Sequence, residues 1–232
     1  MTEKPLQSMF MAVPLRYDLI NRLITWGMDA RWRELAAQAC LANHPHRVLD
    51  LGCGTGDLAV GIARRAGGGV EITGVDYAEP MLELAREKAA GLAGVNFLRG
   101  NADNIPFADG YFDSVGISFA FRNLIYQNPL APRHLAEVRR VLRDGGHFVA
   151  VESGQPARGP MRLLFRAYLR GYVYPVGRWL SGNRGAYRYL AESVARFYPA
   201  EEIREMLLGA GFREVTFRRL FLGAACLHVA VK

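Results

Sequence analysis

The sequence has few cysteines and no long apolar run. It contains three cysteines and no CxxC pair, so no disulfide framework is expected, and a reducing cytoplasm suits such a chain. No apolar run reaches the length of about 20 residues that a membrane-spanning helix needs, and the first residues lack the apolar stretch of a secretory signal. These absences favour a globular cytoplasmic chain.

Metal-ligand patterns are also missing. The five histidines, at positions 44, 46, 134, 147 and 228, show no ligand spacing, so we expect surface or packing roles for them and no metal site.

Acidic residues are scarce in one late segment. The chain has a formal net charge of +7, and between Arg158 and Arg196 it carries eight arginines against a single acid, Glu192. Such a balance can favour nucleic acid, anionic lipid or anionic metabolites. Because the sequence has no Asn/Asp-Pro-Pro-aromatic motif for a flipped base, we expect no nucleic-acid partner.

What is present is an alternation of strands and helices in a chain that is half hydrophobic. Alternation of this kind predicts an α/β fold with a mostly parallel, Rossmann-like sheet. We expect a single domain. Its parts are N-terminal helices (1–44, with Asp29 capping the second helix), a cofactor-binding core (45–153), a helical lid insertion (157–196), and a closing helix with two antiparallel strands (199–232).

The stretch 48–57, VLDLGCGTGD, joins a strand to a helix through Gly52, Gly54 and Gly56. A dinucleotide fingerprint places its third glycine three residues after the second, and here Asp57 occupies that position. The spacing favours S-adenosylmethionine over NAD or FAD, with Asp50 as an anion near a cationic ligand. A tight turn with no ligand remains the alternative.

Two further strand ends carry polar residues. Asp76 ends the second strand, where a carboxylate can bind ribose hydroxyls, although it could also cap the next helix. Asn101, Ala102 and Asp103 follow the third strand, where they could contact an adenine or form a simple Asx turn.

Together these residues resemble the class I S-adenosylmethionine-dependent methyltransferases, and more narrowly the ubiquinone/menaquinone biosynthesis C-methyltransferases. The narrower resemblance depends on YDLIN at 17–21, on Trp32, on FAFRN at 119–123 and on YRYLAES at 187–193. It covers nearly the whole chain and implies a seven-stranded sheet. It also implies methyl transfer to a ring carbon of a demethylated quinol, such as demethylmenaquinol.

The resemblance implies roles for single residues. It makes Thr55, Asp76, Asn101, Ala102 and Ser118 cofactor contacts, closes Tyr17 over the cofactor, and sets Arg122 and Asn123 at the substrate ring. It assigns Tyr187, Arg188 and Tyr189 to the substrate side of the lid. The sequence departs from the family pattern at three places on the substrate side. Phe119-Ala120-Phe121 replaces Phe-Gly-Leu, the stretch 123–140 is a few residues longer, and ESGQP at 152–156 replaces EFSKP.

Several alternatives stay open. Arg122 could stabilise a phenolic oxyanion or pair with a core carboxylate such as Glu152. The arginine-rich lid could contact an anionic membrane surface at the inner face of the cytoplasmic membrane, or be a lid with a solvated basic face. The chain could methylate another aromatic metabolite or bind S-adenosylmethionine without catalysis, and a homodimer is compatible with the sequence.

Overall fold

The computed structural model describes residues 14–156, 159–181 and 184–232. Within these ranges one sheet of seven strands has the order β3-β2-β1-β4-β5-β7-β6. The strands are β1 (Arg47–Leu51), β2 (Glu71–Asp76), β3 (Val95–Arg99), β4 (Phe112–Ser118), β5 (Leu142–Ser153), β6 (Glu214–Leu220) and β7 (Ala225–Val231). The first five run parallel, whereas β7 is antiparallel to both β5 and β6.

Helices cover both faces of this sheet. On one face lie α2 (Met28–Leu41), α3 (Asp57–Ala66) and α4 (Glu79–Lys88), and on the other lie α6 (Ala131–Val141) and α10 (Ala200–Gly209). Strand residues alternate between the two cores, so Val149 and Val151 face α2 while Phe148 and Ala150 face α10 and its neighbours. This alternation follows from the period of two along a strand.

A third apolar cluster lies apart from the sheet. It joins α1 (Pro14–Ile24) to a helical cap, which we define as α7 (Pro160–Tyr168), a π-helical turn (Leu169–Val173), α8 (Tyr174–Ser181) and α9 (Arg184–Arg196). Ile20 and Ile24 of α1 are buried against Leu169, Val173 and Tyr187 of the cap. The cap therefore occupies the stretch between β5 and α10, which is the position expected for the insertion.

The predicted elements differ from the structure in a few places. Asp29 does not cap α2, because the helix begins at Met28 and its N-cap is Gly27, with a φ of 73°. The sequence Asp144-Gly145-Gly146 is typical of a turn, but here it forms an irregularity inside β5, where the pairing jumps from Phe112–Leu142 to Ser114–His147. A short helix, α5 (Phe121–Ile125), was not predicted at all.

No helix in the described ranges is long and apolar enough to cross a membrane.

Candidate active site

The glycine turn lies at the carboxyl edge of the sheet, folded over the end of β2. The main-chain N–H groups of Gly52 and Cys53 donate to the carbonyl of Val75 at 2.7 and 3.1 Å. Gly52, Gly54 and Gly56 all have left-handed backbones, with φ values of 65°, 53° and 79°. Glycine adopts this conformation without the strain that a Cβ would cause, which is why the turn needs it.

Gly54 and Gly56 play different parts in the turn. A Cβ at Gly56 would lie 3.0 Å from both Ala85 Cβ and the Phe97 ring, so this glycine allows close packing of the turn. A Cβ at Gly54 would meet nothing within 4 Å. Open space above a bare backbone is what a ligand needs for close approach.

Asp50 is fully buried at the end of β1. Its Oδ2 accepts a hydrogen bond from Ala59 N at 3.0 Å, and its Oδ1 has no partner among the described residues. Burial first, and the charge of Asp76 to a lesser extent, raise the pKa of this carboxyl to about 7, although the Ala59 hydrogen bond opposes the shift. A cationic ligand beside the turn would favour the charged form and could engage the free oxygen.

Asp76 is tied to the turn. Its Oδ2 accepts from Gly54 N at 2.9 Å and its Oδ1 from Ala78 N at 3.0 Å. Burial raises the pKa of this carboxyl, and these backbone hydrogen bonds oppose the rise. The bond to Ala78, the residue before α4, partly agrees with the alternative in which Asp76 caps that helix. The bond to Gly54 nevertheless places the carboxylate beside the glycine turn, where a ribose is expected.

The residues after β3 reach the same edge. Gly100 N donates to the Asp76 carbonyl at 3.0 Å, and Asn104 N donates to the Asn101 carbonyl at 3.2 Å, which makes a tight turn. The Asp103 carbonyl accepts from Arg133 Nε at 2.7 Å. Asn101 is exposed and Ala102 and Asp103 are partly buried, so this turn presents accessible polar groups next to Asp76.

A cluster of charged side chains, which the sequence analysis did not predict, links α1 to the glycine turn. Thr55 Oγ1 donates to Asp18 Oδ1 at 2.9 Å. Lys88 Nζ donates to Asp18 Oδ2 at 2.5 Å, to Thr55 Oγ1 at 2.8 Å and to Asp57 Oδ1 at 2.7 Å. Asp18 belongs to the YDLIN segment, but nothing in the sequence marked Lys88. Tyr17, the neighbour of Asp18, has a side chain outside the described part of the structure.

The segment after β4 carries the predicted ring-binding residues. Ser118 ends the strand, and Phe119 turns the chain with a φ of 56°. Arg122, in α5, is 4% exposed. Its main-chain N–H donates to Glu152 Oε2 at 2.9 Å, its Nη1 donates to Ser193 Oγ, and its Nε lies 3.9 Å from Glu152 Oε1. Arg122 therefore does face the core carboxylate considered in the sequence analysis.

Arg122 and Asn123 also line a cavity of about 630 Å³ above the carboxyl ends of β4 and β5. Its walls come from α1, α2, the helical cap and the β6–β7 connection, and they are mostly apolar. The Oδ1 of Asn123 is buried without a hydrogen-bond partner in the described structure. The two residues expected at the substrate ring thus border one apolar chamber.

The three lid residues are placed differently. Tyr187 is buried and lines the cavity, with its ring so close to Gly177 that a Cβ there would overlap it. Arg188 is exposed and Tyr189 is partly buried, and neither belongs to the described cavity wall. The substrate roles of Arg188 and Tyr189 stay predictions.

No group of three metal-ligating side chains occurs in the part of the chain that the structure describes.

Comparisons with known proteins agree with this architecture. The model of the ubiE/COQ5 methyltransferase family matches residues 1–232. A demethylmenaquinone methyltransferase from Thermus thermophilus is 44% identical over 95% of this chain and 98% of its own length. One from Deinococcus radiodurans is 41% identical over 97% of this chain and 92% of its own. A SAM-dependent methyltransferase structure from Thermotoga maritima superimposes with a TM-score of 0.59 at 23% identity, covering 94% of this chain and 98% of that one, and supports the fold. The expected fold class is confirmed.

Proposed function

The chain belongs to the ubiE/COQ5 methyltransferase family and is an S-adenosylmethionine-dependent methyltransferase, as predicted; from that premise we propose that it methylates a ring carbon of demethylmenaquinol or a related quinol in the cytoplasm. The observation that carries the proposal is the apolar cavity of about 630 Å³ with Arg122 in its wall. Relatives from two organisms are named for demethylmenaquinone.

The donor site fits S-adenosylmethionine, which supplies an electrophilic methyl group when bound. Asp50 offers an unpartnered carboxylate oxygen for a cation, and Gly54 leaves room for close approach. Asp76 would hold the ribose hydroxyls, and the turn at 101–103 would border the adenine. Thr55 and Ser118 complete this site.

The ring would lie against Arg122 and Asn123. Carbon methylation needs an electron-rich ring carbon, and loss of a phenolic proton raises the charge on the carbon ortho to that oxygen. A guanidinium is not a useful base in a protein, so the phenolic proton passes to a water molecule and not to Arg122. Arg122 stabilises the oxyanion instead, as a preorganised donor in a water-poor site. The amide of Asn123 would orient the same oxygen.

The mouth of the cavity suits a prenyl tail. Large apolar side chains line the cavity and are also exposed: Trp26 (74%), Met161 (41%), Leu164 (62%), Phe221 (60%) and Leu222 (66%). A rim of this kind would let the ring enter while its tail stays in an apolar medium.

We also propose that this rim contacts the inner face of the cytoplasmic membrane. On α7 the apolar Leu163 is 72% exposed and stands near the exposed Arg166, a combination that suits an anionic bilayer surface. Liposome co-sedimentation tests this. Binding should need anionic lipid and weaken in a Leu163→Ser/Arg166→Ser variant, but not in Arg64→Ser on α3. No sedimentation with either lipid mixture would remove the membrane contact. A homodimer, with which the sequence is compatible, is tested separately by mass in solution.

The acceptor is tested with a panel assayed by mass under reducing conditions. Demethylnaphthoquinols and demethylbenzoquinols with short prenyl tails should each be compared with simple phenols. Addition of one methyl group to a quinol ring carbon is expected. Transfer only to other aromatic compounds would favour the alternative methyltransferase, and no transfer at all would favour a protein that binds the donor without catalysis.

A further inference from the structure

The acceptor cavity has a second set of polar side chains, contributed by α2 and by the residues that join it to α1. Thr25, Asp29 and Arg33 all line it. Thr25 Oγ1 lies 2.8 Å from Asp29 Oδ1 and 2.7 Å from the Asn21 carbonyl, and its single proton can be donated to either acceptor. Arg33 Nη1 donates to Asp29 Oδ2 at 2.5 Å. Asp29 is 4% exposed, so this carboxylate lies in the wall of a mostly apolar chamber.

Asp29 contacts Thr25 and pairs with Arg33 near the start of α2, but these contacts leave part of its hydrogen-bonding capacity unused. It does not cap α2, whose N-cap is Gly27. Arg33 has another carboxylate within reach, since its Nη1 lies 3.6 Å from Asp57 Oδ2, and its guanidinium also lies over the Phe119 ring at 5.1 Å from the centroid. Burying a charged pair costs desolvation energy, which further hydrogen bonds to the pair would offset.

Asp29 keeps capacity for another hydrogen bond. An ionised carboxylate accepts at about four lone-pair positions and donates at none. Thr25 and Arg33 occupy at most one position on each oxygen. Arg122, in another part of the cavity wall, is a donor only. Besides the amide of Asn123, the cavity wall therefore offers an acceptor with free capacity at Asp29 and a donor at Arg122.

We propose that Asp29 accepts a hydrogen bond from a ring hydroxyl of the acceptor and so selects the hydroquinone over the quinone. The proposal rests on the proposed function. A hydroquinone can donate one hydroxyl to Asp29 and present its other oxygen to Arg122. A quinone has only acceptor oxygens, so its carbonyl would face the Asp29 carboxylate without a proton between them.

Binding of a redox pair of probes tests the selection. We would titrate 1,4-dihydroxynaphthalene and 1,4-naphthoquinone anaerobically into the full chain. The wild type should prefer the diol by about 10–100-fold, the range of one hydrogen bond to a charged group. In Asp29→Asn the preference should fall to about 3-fold or less, with tighter quinone binding, because an amide can donate as well as accept. Tighter quinone binding would not follow from a purely structural role.

Glu34→Gln is the matched control. Glu34 is another carboxylate on α2, where it pairs with Arg65 at 2.7 Å outside the cavity wall, so its loss should leave the preference unchanged. An Asp29→Asn variant that keeps the wild-type preference, or that weakens both probes equally, would overturn the proposal.

A probe series on the wild type does not depend on folding of the variant. 4-Methoxy-1-naphthol keeps one hydroxyl donor and should bind nearly as well as the diol, whereas 1,4-dimethoxynaphthalene has none and should bind as weakly as the quinone. Equal binding of the diol and the dimethoxy compound contradicts the proposal. If the enzyme methylates a quinol but binds both redox forms equally, only this inference fails. If it neither binds these rings nor methylates any quinol, the proposed function fails as well.

Discussion

Replacing Arg122 by lysine separates its role at the acceptor from its role in the fold. The guanidinium is 4% exposed and donates from Nη1 to Ser193 Oγ, and its Nε has no hydrogen-bond partner in the described structure. Lysine keeps the positive charge but offers a single nitrogen. It cannot hold Ser193 and a ring oxygen in the geometry of the planar fork.

The expected loss follows from the chemistry of an oxyanion donor. Removing such a donor costs about 10²–10³ in rate, or about 2.7–4 kcal/mol. Because the charge is retained, we expect a loss somewhat smaller than this range, about 30–300-fold in the transfer rate, or about 2–3.5 kcal/mol. The fold should survive, since Glu152 still accepts the main-chain N–H groups of residue 122 and Ser153. Arg122→Met should instead cost about 3 kcal/mol or more in unfolding free energy, because it leaves Glu152 buried without a cation.

The assay is a single-turnover measurement with saturating quinol, next to a donor titration. Affinity for S-adenosylmethionine should change by about 2-fold at most, because the contacts described for Arg122 include none of the donor residues. Arg196→Lys, at an exposed arginine of the neighbouring α9 that has no assigned role, is the matched control and should behave as wild type. Equal losses of rate and donor affinity would refute the assignment, as would an unchanged rate.

The remaining predictions concern the donor side. Lys88→Met should detach α1 from the glycine turn, speed proteolysis within residues 14–24 and cost about 1 kcal/mol in stability. The control Arg86→Met loses only an exposed pair with Glu79 and should have none of these effects. The native pKa of Asp50, about 7, lies above its unfolded value, so its contribution to stability is full below the unfolded pKa near 4 and is lost as pH rises to about 7. The unfolding free energy of the donor-free wild type, minus that of Asp50→Asn, should therefore fall between about pH 4 and 7. The fall should be at most about 1.4 kcal/mol per pH unit, and a difference that does not change with pH would refute this. Gly56→Ala should lower stability by about 1–3 kcal/mol because its Cβ has neither room nor a favourable φ, while Gly54→Ala should cost less stability and weaken donor binding more, as melting and titration would show.

The donor half of the site could be predicted from sequence because local patterns determine it. Val48–Leu51, the three glycines and Asp57 each have a local conformational reason for their place, and parallel strands bring their carboxyl ends to one edge. Asp50, Asp76 and the turn at 101–103 therefore meet where expected. Sequence patterns could not show that Lys88 reaches Asp18, since the two lie on different helices 70 positions apart. The mistaken cap at Asp29 has the same origin, because a helix-start preference cannot reveal that the side chain faces a cavity.

The acceptor half differs because its wall combines segments between positions 21 and 224. The departures from the family pattern therefore differ in how much they affect the acceptor cavity, depending on whether they lie in its wall. Phe119 and Ser153 line the cavity, and Ser153 stands where the family motif has phenylalanine, so a smaller side chain occupies this part of the wall. Gln155, which replaces the motif lysine, lies outside that wall, and its Nε2 donates to the Phe197 carbonyl at 2.6 Å. The missing lysine should therefore matter less for the choice of quinol than Ser153, whose replacement by phenylalanine should narrow the range of acceptor rings without changing donor affinity.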